Sequence, residues 1–142
     1  MVGVIAALVS GALMSIQGVF NTDVTKQTSL WVSASFVQFT ALLVCLAAWL
    51  ICDRTSFRSL FEISDKYVLL GGVIGAFITA TVIWSMNGLG PAKAAMLIVI
   101  SQLTVAWLIE LAGIFGMEKQ PFSMRKLLGL LIAAAGVITF EL

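Results

Sequence analysis

The 142-residue chain contains no histidine, which excludes a histidine proton relay and a histidine metal site. Charge is scarce: only 11% of residues are charged, against ~25% in an ordinary soluble domain. The formal net charge is +1 and no basic run occurs, so nothing favours nucleic acid as a partner. Cysteine is limited to Cys45 and Cys52, seven residues apart on one expected helix. That spacing cannot close a sensible disulfide, and both are expected as buried small apolar side chains. A phosphate loop, a nucleophile elbow, metal-ligand spacing and a dinucleotide fingerprint are all missing. No enzyme activity and no cofactor are therefore expected.

What the chain does have is apolar length. Apolar residues make up 61% of it and fall into five blocks. Each block approaches the ~20 residues that a helix needs to cross ~30 Å of hydrocarbon. The expected spans are residues 2–20, 30–51, 67–86, 91–115 and 124–140, forming one five-helix transmembrane domain over 1–142. The first block follows an opening without positive residues and is long enough to be retained as a span. Each span must be helical, because hydrocarbon offers the backbone no other hydrogen-bond partner. The fold class expected is all-α, a polytopic membrane protein whose odd span count sets the termini on opposite faces.

The connections carry turn chemistry. Residues 21–29 read as a short polar loop, and 53–66 as the longest link. Ser64 and Ser123 stand where N-caps of spans three and five belong. Gly88-Leu89-Gly90-Pro91 separates span three from span four, and Pro91 suits a first helical turn. Gly116 is the expected stop of span four. The links after spans two and four hold Arg54, Arg58, Lys66, Lys119, Arg125 and Lys126, whereas the opposite side holds Lys26 and Lys93. This bias favours a cytoplasmic N-terminus. Lys93 reads as a snorkelling anchor, and Trp31 and Trp49 as interfacial belt residues.

Small residues recur at helical spacing: Gly3, Ala7, Gly11 and Ser15; Gly71, Gly75 and Thr79; Gly129, Ala133 and Gly136. Such stripes mark close helix approach, within the chain or between chains. Polar residues within the spans are few, and each needs a partner or a wet cavity. Gln17 and Asn21, four apart, share one face of span one with Ser10 seven residues before Gln17. Asn21 also stands where a helix cap is possible. Gln38 lies in the first half of span two. Thr81, Trp84 and Ser85 share a face of span three, and Asn87 follows. Gln102 lies mid-span in span four, and reads either as a substrate-facing amide or as an interhelical hydrogen bond. Trp84 is either a cavity wall or a packed aromatic. Glu110, about 80° round the helix from Gln102, is the one carboxylate well inside a span. It is either a proton or cation site, or an interfacial group paired with Lys119, Arg125 or Lys126.

These residues support a family resemblance. Gly88-Leu89-Gly90-Pro91-Ala92-Lys93-Ala94-Ala95 resembles the segment that opens the fourth helix of EamA-like members of the drug/metabolite transporter superfamily. Glu118, Gly129 and Ala135-Gly136-Val137 fall where that pattern has its loop glutamate and final-helix glycines. The short five-helix YdcZ-type branch is more similar still. It has a glutamine and an asparagine four apart in helix one, matched by Gln17 and Asn21. It also has a glutamine in helix four, matched by Gln102, followed by an acidic run. Glu110-Leu111-Ala112-Gly113 keeps that run's acid and glycine but lacks its histidine and phenylalanine. Ile83-Trp84-Ser85 further resembles helix three of small multidrug resistance proteins, whose helix-one glutamate has no counterpart here.

The resemblance implies half of an inverted-repeat transporter of the bacterial inner membrane. It would act as an antiparallel dimer, either a homodimer or a heterodimer with an oppositely oriented sister chain. Substrate would sit near the midplane and move by alternating access. The candidate substrate-binding residues are Gln17, Asn21, Trp84, Asn87 and Gln102, with Glu110 as a proton or cation site, and the substrate class is a small polar or amphipathic metabolite. The competing expectation is a non-transporting membrane subunit that stabilises or assembles a larger complex.

Overall fold

The computed structural model describes the backbone of residues 1–141 and the side chains of residues 1–140. The protein is an all-α polytopic membrane protein without a strand among the described residues. Its long helices are α1 (Val2–Gln27), α2 (Leu30–Cys52), α3 (Gly71–Leu89), α4 (Pro91–Ala112) and α5 (Met124–Glu141). Two short 3-10 turns, Phe57–Glu62 and Lys66–Leu70, fill the link between α2 and α3, and the second runs directly into α3. The stretches Val2–Gln27, Leu30–Cys52, Lys66–Leu89 and Pro91–Ala112 are each long and apolar enough to cross a bilayer. In α5, Arg125 and Lys126 occupy the first turn. Its uncharged stretch, Leu127 to Phe140, covers roughly 21 Å at 1.5 Å per residue.

The chain divides into two compact units, Met1–Gly88 and Leu89–Leu142. In the first, α1 and α2 form a hairpin. The expected polar loop over 21–29 is in fact mostly helix, because α1 continues to Gln27. Polarity ends a membrane span, but it does not end a helix. Thr22 Oγ1 donates to Gly18 O at 2.7 Å, and Thr28 Oγ1 donates to Val24 O at 2.7 Å. Gln27 Nε2 reaches Asp23 Oδ2 one turn back at 3.1 Å. These side chains are satisfied on the helix itself, so α1 extends to about 39 Å, beyond the ~30 Å hydrocarbon. The turn shrinks to Thr28 and Ser29. Ser29 caps α2 by accepting from Val32 N at 3.3 Å.

Ser33 closes the hairpin. Its hydroxyl is fully buried and donates to Asn21 O at 3.0 Å. Asn21 therefore lies inside a continuous helix and does not cap it. The α1–α3 contact forms at Gly18, where an added Cβ would fall on the Met86 thioether and touch Val82 Cγ1 at 3.4 Å. The side of α3 that meets α1 carries Ile78, Thr79, Val82 and Met86, and the buried residues of α3 are Ala80, Ile83 and Met86. This close approach lies outside the small-residue stripes. Added Cβ atoms at Gly3, Gly11, Gly71, Gly129 and Gly136 meet nothing within 4 Å, and at Gly75 only Gln38 Nε2 at 3.8 Å.

Three further expectations are corrected. Asp65, not Ser64, immediately precedes the Lys66–Leu70 turn, which then leads into α3. α4 stops at Ala112 because Gly113 adopts a left-handed conformation (φ 65°) and its N–H bonds Ile109 O at 2.8 Å. Gly116, also left-handed, belongs to the link beyond. Cys45 and Cys52 are exposed on the chain, where an apolar thiol suits a lipid-facing surface. The Gly90-Pro91 break stands as expected, with Gly90 at φ 83° and Pro91 opening α4. Ser123 O accepts from Leu127 N at 3.1 Å at the start of α5.

Candidate functional site

In the first unit the polar residues of α1 gather on one surface. Ser10, Gln17 and Asn21, four to seven residues apart, lie on one side of the helix with Leu13, Met14 and Phe20. Together they line an open groove of about 670 Å³ whose wall is α1 alone. Gln17 is exposed along it, whereas Asn21 is 7% exposed and marks its buried end. A smaller cavity of about 50 Å³ lies behind, between α1 and α3, and is bounded by Gln17, Asn21, Thr79 and Val82.

Thr79 joins this cavity to α2. Gln38 Nε2 donates to Thr79 Oγ1 at 3.4 Å, and Thr79 Oγ1 donates to Gly75 O at 3.0 Å. The Gln38 amide is thereby held across the α2–α3 contact. The sequence suggested Thr79 only as a packing position. Its four-residue offset from Gly75 is also the spacing of a hydroxyl-to-carbonyl bond along a helix.

Trp84 and Asn87 are on α3 but not at this cavity. Trp84 is 74% exposed and Asn87 is exposed, as is Thr81 one turn earlier. All three point away from the side of α3 that meets α1, which carries Ile78, Thr79, Val82 and Met86. Trp49 behaves as an interfacial residue. Its Nε1 donates to Thr55 O at 2.8 Å just beyond α2, and its ring stacks obliquely on Phe57 at 4.8 Å.

In the second unit Gln102 is exposed on α4. Glu110 forms an ion pair with Lys126 of α5, one of the three partners weighed from sequence. Both side chains stay substantially exposed, at 36% and 49% respectively. The pair borders a pocket of about 300 Å³ between α4 and α5, whose remaining wall includes Leu103, Trp107 and Gly129. Trp107 stands one turn before Glu110, and its ring meets Phe122 at 5.6 Å. The link returns over the end of α4 through Gln120 N, which donates to Glu110 O at 2.8 Å. No group of three or more metal-ligating side chains forms among the described residues.

Residues 2–139 match the family described as "Putative inner membrane exporter, YdcZ". The chain belongs to the YdcZ family of drug/metabolite transporter type. The match spans nearly the full length and takes in α1 to α5 almost entirely. YdcZ is described as an exporter family, not an enzyme family, and the apolar helices agree with a multi-pass inner-membrane protein. No curated protein and no solved structure matches this YdcZ-family chain.

Proposed function

We propose that the chain is one half of an inner-membrane exporter and works as an antiparallel homodimer by alternating access. The observation that carries this reading is the groove along α1. It presents Ser10, Gln17 and Asn21 from one helix and is open on its far side. Exposed amides are costly against lipid, and a second copy lying across the groove would convert it into a closed polar cavity. Trp84, Asn87 and Gln102 are each exposed on their own helices and are further candidate substrate contacts. The substrate class is a small polar or amphipathic metabolite, recognised by amides, hydroxyls and an indole. Outward movement follows the family description. α5 crosses as the fifth span, with Arg125 and Lys126 snorkelling to the interface. The Glu110–Lys126 ion pair supports Glu110 as an interfacial carboxylate rather than a central cation site.

The test begins with a metabolite panel, in which a ligand specific for the native state raises the melting temperature of the purified protein. The stabilising metabolite is then followed across proteoliposome membranes. Gln17→Ala and Gln102→Ala each remove saturable flux while leaving the protein folded. Unchanged flux in both variants sinks the site. After Cys45 and Cys52 are replaced, cysteines introduced at the links are labelled from each side of the membrane. Labelling from one side only rules out the antiparallel homodimer.

A further inference from the structure

The pocket between α4 and α5 has a polarity that changes with depth. At one end stand Glu110, near the C-terminus of α4, and Lys126, in the first turn of α5. Both positions flank the link 113–123, so this end lies at the membrane interface. Leu103 stands seven residues earlier on α4, about 10 Å deeper, and at that depth the wall is apolar. An ion pair at the rim above an apolar shaft matches the profile of a membrane phospholipid. The pair is also accessible: with 36% and 49% of their side chains exposed, Glu110 and Lys126 retain hydrogen-bonding capacity beyond each other. Trp107 adds a third feature. Its ring lines the pocket, and its Nε1 is buried without an acceptor in the protein. A buried donor without a partner is unfavourable, and reorienting the ring within the pocket would offer it a phosphate or ester oxygen.

We propose that this pocket binds a phospholipid with a zwitterionic ethanolamine headgroup. The primary ammonium donates to Glu110, the phosphate accepts from Lys126, and the first part of one acyl chain lies along Leu103 and Gly129. The charge pattern selects among headgroups. A choline nitrogen has no N–H to donate to Glu110, and a glycerol headgroup has no positive charge to set against it. The site is independent of the transport reading, because it uses neither the α1 groove nor a second copy.

The test is native mass spectrometry of the purified chain titrated with phosphatidylethanolamine, phosphatidylcholine and phosphatidylglycerol. The wild type retains phosphatidylethanolamine over the other two by about tenfold, the scale of one charge-assisted hydrogen bond. Glu110→Gln, which is nearly isosteric, abolishes the preference. Gly129→Leu lowers retention of the ethanolamine lipid by filling the shaft. A Cβ at Gly129 meets nothing within 4 Å, so the side chain starts in open space, and the melting temperature of the variant checks that it folds. Equal retention of the three lipids overturns the proposal, as does a preference that survives Glu110→Gln or ethanolamine-lipid retention that is unchanged in Gly129→Leu. Loss of a dimer mass in Gly129→Leu with unchanged lipid retention assigns the pocket to a second copy, and also overturns it.

Discussion

Met86 of α3 lays its thioether over Gly18 of α1, filling the space that a side chain at position 18 would take. A methionine end is flexible and can move aside for a methyl group. Gly18→Ala is therefore expected to cost little, whereas Gly18→Leu overfills the contact and costs about 1–3 kcal/mol. Thermal unfolding in detergent measures both. Shortening the partner in Gly18→Leu/Met86→Ala restores part of the loss, and full additivity of the two changes would contradict the contact.

The Ser33 hydroxyl holds the hairpin by donating to Asn21 O from a fully buried position. Ser33→Ala is expected to lose about 1 kcal/mol, as for a single hydrogen bond between membrane helices. Ser35→Ala, on an exposed face of the same helix, serves as the control and is expected to be neutral. Hydrogen exchange of the Thr28–Ser29 turn should quicken in the first variant and not in the second.

The Gln38–Thr79 bond predicts an energetic coupling. Gln38→Ala and Thr79→Val, alone and combined, form a double-mutant cycle. We expect a coupling of about 0.6 kcal/mol, the average for polar contacts between membrane helices. A coupling indistinguishable from zero would mean that the amide finds another partner in the membrane.

Gly113 ends α4 at φ 65°, with the Lys119 backbone N 3.2 Å from the position of an added Cβ. Gly113→Ala combines the left-handed penalty with this clash, so a loss of about 1–2 kcal/mol or more is expected. Gly116→Ala, equally left-handed but open, carries only the conformational part. The melting temperatures of the two variants should fall in that order, and the reverse order would contradict the fold of the link.

Composition and spacing were enough to establish an all-α membrane protein, and the transporter reading came from the family resemblance of its short motifs. Hydrocarbon forces apolar helices of a set length, and those lengths are written directly in the chain. The Gly90-Pro91 break was readable for the same local reason, since φ restrictions act on the residue itself. Gln17 and Asn21 were legible as one face because four residues make about one helical turn. What depended on distant neighbours required the tertiary structure. It continued α1 through a polar stretch by side-chain bonds to its own carbonyls. It made Gly18 the close contact, although Gly18 lies outside the small-residue stripe that holds Gly3 and Gly11. It chose Lys126 among three possible partners for Glu110, and it set Trp84 on a face away from the α1 cavity. A sequence states which side chains can approach or pair, but only the packed chain fixes their distances and directions, and these decide which approach is made.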